Sequence, residues 1–246
     1  MEDIKFTIGT VAFNGEKNIA KAIESVLGQT YINYEYIIMD GVSTDRTVEI
    51  AESYRDKFEE KGLKYTIVSE KDNGMYDAMN KIIGMATGEL IGMVNSDDFY
   101  ELDCLENVAN EYKVKPFDLS FGDLRIFDEK GSFIKTAALG KKFQKRHWNH
   151  PTMFVSPKVY AERKYACESM FDDLDFMLWC VSQKKFDIRV INKTLSNFQL
   201  GGMSSKRSWK NSMARVKLAN HVYKKNNIKG HSLENFLIEV LKFLRG

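Results

Sequence analysis

Four short apolar runs punctuate the first hundred residues, and each is followed by a longer segment in which apolar positions recur every three or four residues. Residues 4–13, 35–40, 65–69 and 90–94 have the length and composition of buried strands. The intervening periodicity predicts helices over 15–28, 48–61, 75–86 and 102–112. Ile19, Ala22, Ile23, Val26 and Leu27 share one face of the first helix, and Ser43-Thr44-Asp45 supplies capping residues ahead of the second. An alternating βαβαβαβα order builds a parallel sheet covered by helices on both faces.

After Pro116 the pattern changes. Residues 118–128 and 132–138, separated by Glu129-Lys130-Gly131, predict a β-hairpin. Helical spacing returns at 157–164 and 171–183, two short strands are expected at 186–191 and 194–198, and two helices at 208–225 and 232–244. The expected fold is α/β: a Rossmann-like, mostly parallel sheet flanked by helices, with a C-terminal helical tail. The simplest division is one domain over 1–205 and a basic amphipathic tail over 206–246.

In open α/β sheets ligands bind beyond the carboxyl ends of the strands. Here those ends read 10–14, Asp40-Gly41, 70–74 and Asn95-Ser96-Asp97-Asp98, all polar and three of them acidic. Adjacent carboxylates after a buried strand suit a hard cation shared with substrate phosphates; equally, Asp97 or Asp98 could cap a helix beginning near Glu101. A second acidic cluster, Asp172-Asp173 with Asp175, precedes an apolar helix face and has two readings as well. One is a cap favoured by the helix dipole; the other is a general base for an acceptor hydroxyl. No G-x-G-x-x-G or G-x-x-x-x-G-K-[ST] follows the first strand, so neither a standard dinucleotide fold nor a P-loop is supported.

Composition narrows the partners. The chain has 246 residues and a net charge of +2, which implies no general nucleic-acid affinity. From Lys206 to Gly246 there are ten Lys/Arg against two Asp/Glu, which leaves −6 over residues 1–205. Cys104, Cys167 and Cys180 lack metal-like spacing and fit reduced cytosolic thiols. The acidic start is unlike a signal peptide, and no stretch approaches the about 18 apolar residues of a membrane span. A cytoplasmic protein is expected, with the inner face of the cell membrane as a second place that the basic tail allows. There its apolar positions Leu233, Phe236, Leu237, Val240, Leu241 and Leu244 could meet anionic lipid; packing on the protein itself or on a second subunit is the alternative.

Four blocks closely resemble glycosyltransferase family 2: Val11-Ala12-Phe13-Asn14; Ile23 to Tyr31; Tyr36 to Thr47, with Asp40-Gly41-Val42-Ser43-Thr44-Asp45; and Ser69 to Lys81. Asn95-Ser96-Asp97-Asp98 is a fifth, so the resemblance covers residues 4–100 almost continuously. Tyr76-Asp77-Ala78-Met79-Asn80 is similar to the subset that builds bacterial surface polysaccharides. Weaker likeness continues at His150-Pro151-Thr152, Asp172-Asp173 and Gly201-Gly202-Met203-Ser204-Ser205.

The resemblance implies a GT-A fold, a nucleotide-diphosphate sugar donor with UDP as default, Mn²⁺ or Mg²⁺, and inversion at the anomeric carbon. The acceptor would be lipid-linked or an oligosaccharide. Thr10 and Phe13 would then flank the base and ribose, Asp40 would accept from the base edge, and Asp72 would line the nucleotide pocket. Asp97 would face ribose or sugar, Asp98 would bind the metal, and Asp173, or less favourably Asp172, would be the base. His150 would line the acceptor cleft or be an ordinary surface histidine. Gly202 and Ser204 would belong to a loop closing over the diphosphate, or to a plain turn.

Phe13 stands where the family often has Tyr, and Asn95 where it often has Asp. Gln-x-x-Arg-Trp, the mark of processive relatives, is missing, which favours single-sugar transfer. A nucleotidyltransferase would be expected to show a glycine-rich basic loop after the first strand, which the sequence lacks. A non-catalytic sugar-nucleotide-binding protein is the remaining alternative.

Overall fold

The four predicted strands assemble side by side in a computed structural model that describes residues 3–128, 131–140, 143–200, 208–229 and 231–244. β1 (Phe6–Ala12), β2 (Tyr34–Asp40), β3 (Lys64–Ser69) and β4 (Leu90–Met93) pair in parallel in the spatial order β3-β2-β1-β4. The order reverses between β1 and β4, which opens a crevice at their carboxyl ends.

Alternation along the strands divides the core. Phe6, Ile8, Tyr36, Ile38 and Leu90 pack with α1 (Ile19–Leu27), α2 (Thr47–Glu52), α3 (Arg55–Glu60) and α5 (Cys104–Val114). Val11, Ile37, Met39, Ile91 and Met93 pack with α4 (Met75–Met85), α6 (Pro157–Glu162) and α7 (Asp172–Gln183). Both faces of β1, β2 and β4 are therefore buried, as their continuous apolar runs require, while β3 is a half-buried edge.

The second half extends the same sheet. β8 (Phe154–Val155) runs antiparallel between β4 and β6 (Leu119–Asp128), and β9 (Ile188–Gln199) lies parallel to β6. β5 (Phe99–Tyr100) pairs with β9, and the expected hairpin forms between β6 and β7 (Gly131–Lys135). Two expectations need correction. The short strands at 186–191 and 194–198 are one strand, β9, whose register shifts opposite Gly122–Leu124; the interruption at Asn192-Lys193 is a bulge rather than a turn. The helix over 48–61 is two, because the break after α2 turns Tyr54 inward, where its hydroxyl donates to Glu24 Oε1 at 2.7 Å. β5 and β8, two residues each, are too short to leave a pattern.

The tail forms α8 (Trp209–Lys225) and α9 (Ser232–Leu244). Lys225 Nζ lies 2.9 Å from Asp175 Oδ2, Asn226 Nδ2 donates to Asp175 Oδ1 at 2.6 Å, and Val222 and Tyr223 share a core with α7. Among the described residues, no helix is long and apolar enough to cross a membrane.

Candidate active site

The loops after β1, β2 and β3 are stitched together by short polar contacts. Asn14 N donates to Ser43 Oγ at 2.8 Å, Gly15 N to Thr47 Oγ1 at 2.8 Å, and Glu70 N to Asp40 O at 3.0 Å. Asn14 (φ 50°) and Val42 (φ 63°) both adopt the left-handed conformation there. Gly41 is the pivot. A Cβ at that position would stand 2.7 Å from Asp72 Oδ2 and 3.4 Å from Phe13 Cδ2. A carboxylate, an aromatic ring and a bare backbone thus meet at one patch. Phe13 is 63% exposed, and Asp72 is half-buried with Oδ1 accepting from Gly74 N at 2.8 Å.

Two residues expected at this patch are spent elsewhere. Thr10 is fully buried on the α1 side of the sheet, its hydroxyl paired with Tyr36 at 2.8 Å. Asp40 is also fully buried. Its oxygens take Ser43 N at 3.0 Å, Ser69 Oγ at 2.6 Å and the Ser43 hydroxyl, which ties β2 to β3. Asp72 Oδ2, by contrast, lies over Gly41, where the missing Cβ makes room for it.

The acidic turn after β4 is in a different condition. Asp98 N donates to Asn95 O at 3.0 Å, closing a tight turn, and Gly15 abuts the Ser96 side chain. That contact joins the turn to the β1 loop across the switch point. β5 follows directly, and α5 starts only at Cys104, so neither Asp97 nor Asp98 caps a helix. Asp98 is 1% exposed, and its Oδ1 has no hydrogen-bond partner; the neighbouring Asn95 Oδ1 has none either. Burial, and then the charge of Asp97, push the Asp98 carboxyl well above the usual carboxylate range. A buried carboxyl with one unpaired oxygen, its Oδ2 taking Asn95 Nδ2 at 3.5 Å, fits a divalent cation, which would reverse both penalties. Among the described residues no group of three or more His, Cys, Asp or Glu could hold a metal ion. Asp98 and Asn95 would therefore share the cation with oxygens of its ligand, while half-buried Asp97 stays beside them.

The three acids of α7 separate by their partners. Asp172, 2% exposed, accepts from Glu168 N (2.9 Å), Ser169 N (2.8 Å) and Ser169 Oγ (3.0 Å); it organises the preceding loop and has no oxygen left for a base's work. Asp175 is bound by Arg163, Lys225 and Asn226. Asp173 is half-buried; its Oδ1 takes the Leu174 N–H at 2.7 Å, and its side chain is also within hydrogen-bond reach of the Tyr76 hydroxyl. Its charge falls on Tyr76, Tyr165 and His150. Burial lowers the His150 pKa, with Asp173 opposing; His150 Nε2 lies 3.1 Å from the Tyr165 hydroxyl. His150 is thus half-buried against Tyr165, within range of the Asp173 charge.

Three residues of this cluster were not singled out by sequence reasoning. Asn80 Nδ2 donates to Tyr165 O at 2.9 Å while Tyr165 N donates to Asn80 Oδ1 at 3.1 Å, and Tyr76 donates to Met170 O at 3.3 Å. Tyr76 and Asn80, spaced i, i+4 on α4, hold the segment that leads to Asp173. Their only trace in the sequence was the Tyr76–Asn80 block, which carried a family likeness and no role for either residue. Gly202 and Ser204, with Lys206 and Arg207, lie outside the described residues.

Comparison with known proteins gives a family match and structural neighbours. The model of "Glycosyl transferase family 2" matches residues 7–171. A PGL/p-HBAD biosynthesis glycosyltransferase of Mycobacterium bovis is 27% identical over 210 residues, covering 81% of this chain and 79% of the relative. Glycosyltransferase GlyA of Streptococcus pneumoniae is 25% identical over 76% of this chain and 26% of its own length. In structure, S. aureus TarS 1–349 in complex with UDP-GlcNAc superposes with a TM-score of 0.67 at 17% identity, over 97% of this chain and 72% of that one. The mannosyltransferase PcManGT of Pyrobaculum calidifontis, in complex with GDP-Man and Mn²⁺, gives 0.67 at 13% identity, over 95% and 68%. These likenesses show the GT-A fold.

Proposed function

The chain belongs to glycosyl transferase family 2, and we propose that it is an inverting, metal-dependent enzyme that moves a single sugar from a nucleoside-diphosphate sugar to a hydroxyl of a lipid-linked or oligosaccharide acceptor. The observation that carries this reading is the buried, unpartnered Asp98 oxygen at the β1/β4 switch point. Structural neighbours bind UDP-GlcNAc, or GDP-Man with Mn²⁺, and the mycobacterial relative is named for PGL/p-HBAD biosynthesis.

The Phe13 ring offers a stacking face, and Asp72 offers an acceptor for an imide N–H such as that of uracil. Asp98, with Asn95, would hold Mn²⁺ or Mg²⁺. When bound, the cation neutralises charge developing on the leaving diphosphate. Asp97 stands beside it, toward ribose or sugar. Asp173 takes the proton of the acceptor hydroxyl as its oxygen bonds to the anomeric carbon and the bond to the diphosphate breaks on the opposite face. One base suffices for inversion, so Asp172 can remain structural. Neutral His150, within range of the Asp173 charge, lines the acceptor side, and cytoplasmic placement at the inner face of the membrane follows from such an acceptor.

A nucleotidyltransferase reading has no support in the β1 loop: the Asn14 and Gly15 N–H groups are given to Ser43 and Thr47 rather than left for phosphates.

The test is binding and hydrolysis of UDP-, GDP- and dTDP-sugars with and without Mn²⁺ or Mg²⁺, in wild type, Asp98→Ala and Asp173→Asn. Metal-dependent binding of one nucleotide is expected, lost in Asp98→Ala and retained in Asp173→Asn, which loses transfer. Failure to bind any sugar nucleotide with metal present overturns the reading. Binding without turnover in wild type favours a non-catalytic binding protein.

A further inference from the structure

The helix α9 is inside out. His231, Asn235 and Glu239, at i, i+4 and i+8, are only 2–3% exposed. Leu233, Phe236, Leu237 and Leu241, on the opposite side, are 70, 39, 48 and 51% exposed. The inward residues are held by polar contacts with α8. Arg215 Nε donates to Glu239 Oε2 at 2.7 Å, Asn235 Nδ2 to Asn220 Oδ1 at 2.8 Å, and the His231 ring stacks on Tyr223 at 4.3 Å. These pairings fix the rotation of α9 as well as its antiparallel course along α8. A helix turned by its polar contacts so that its leucines face outward is built for a neighbour other than water.

We propose that this face of α9 docks in the plane of an anionic lipid surface. Charge chooses the occupant. Lys210, Lys217 and Lys224 are exposed at seven-residue spacing along one stripe of α8, in a segment with ten Lys/Arg against two Asp/Glu. Anionic headgroups satisfy that charge while the acyl boundary takes the leucines. A second copy would instead set two such basic segments against each other. An amphipathic helix lies flat at the interface, and no described helix is suited to span. The inference deepens the acceptor reading, because a lipid-linked acceptor is presented at such a surface, but the binding itself requires no catalysis.

The test is cosedimentation of the full chain with vesicles of phosphatidylcholine alone, or mixed with phosphatidylglycerol, at low and high salt. Binding is expected only to the mixed vesicles, weakened by salt. It should fall about tenfold or more in Leu237→Glu/Leu241→Glu and in Lys210→Glu/Lys217→Glu/Lys224→Glu. Circular dichroism and sugar-nucleotide binding report folding of both variants, since all five side chains are exposed. Absence of binding to mixed vesicles, or binding that neither variant weakens, overturns the proposal. So does a wild-type dimer, seen by sedimentation velocity, that the leucine variant makes monomeric. Sugar-nucleotide binding by wild type is read separately, so failure here and failure of the transferase reading are distinguishable.

Discussion

Asn80 grips the backbone of Tyr165 at two points, giving one hydrogen bond to its carbonyl and receiving one from its N–H. α4 begins three residues after Asp72, so the helix that leaves the proposed donor patch also anchors the loop that leads to Asp173. Asn80→Ala frees that loop. Turnover should fall about tenfold through loss of positioning, with donor affinity unchanged. A variant that loses donor affinity and turnover in step would show a general structural role instead.

Gly41→Ala places a methyl where Asp72 Oδ2 now approaches to 2.7 Å. Asp72 must withdraw, and donor KM should rise about tenfold, the loss of one hydrogen bond to a charged group. Turnover at saturating donor and thermal stability should change little. Steady-state kinetics over a donor series checks this.

Val42 is a β-branched residue held at φ 63° in the loop beside the donor patch. That conformation is costly for Val and tolerated by Asn. Val42→Asn should raise unfolding free energy by about 1 kcal/mol, read as a higher urea midpoint with unchanged slope.

Glu35 lies fully buried in β2, where burial would raise its pKa. Hydrogen bonds from Lys64, Thr7 and Thr87 outweigh that and bring it down from 4.5 to about 2. Because the folded value is the lower one, the unfolded chain binds the proton first as pH falls. The stabilisation is complete above pH 4.5 and is lost as pH drops through 4.5 toward 2. Glu35→Gln should cost about 2 kcal/mol at neutral pH and flatten the acid limb of a stability–pH curve, measured by urea unfolding at stepped pH.

The sites were legible to different depths. Asp98 and Asp173 stand out in the sequence because each sits at a strong local signal, a buried strand end and an amphipathic helix start. Asp40 and Asp172 gave signals of the same kind, yet both are tied down by serines: Ser43 and Ser69 for the first, Ser169 for the second. Ser69 comes from the neighbouring strand, 29 residues away. Thr10 is buried by a pairing with Tyr36 on the neighbouring strand, 26 residues away. Tyr165 had no motif of its own, because its role consists of contacts with residues 85 positions earlier.

By itself the sequence determined the parallel βαβ half, the acidic turn after β4 and the two helices of the tail, since hydrophobic period and turn chemistry are properties of a few consecutive residues. Only the tertiary structure decided which carboxylates are spent on structure and which are left open. It also set Asp72 against Gly41 and turned the leucines of α9 outward. Those outcomes depend on which donors and cations distant segments bring within about 3 Å of an oxygen, and no local pattern encodes that encounter.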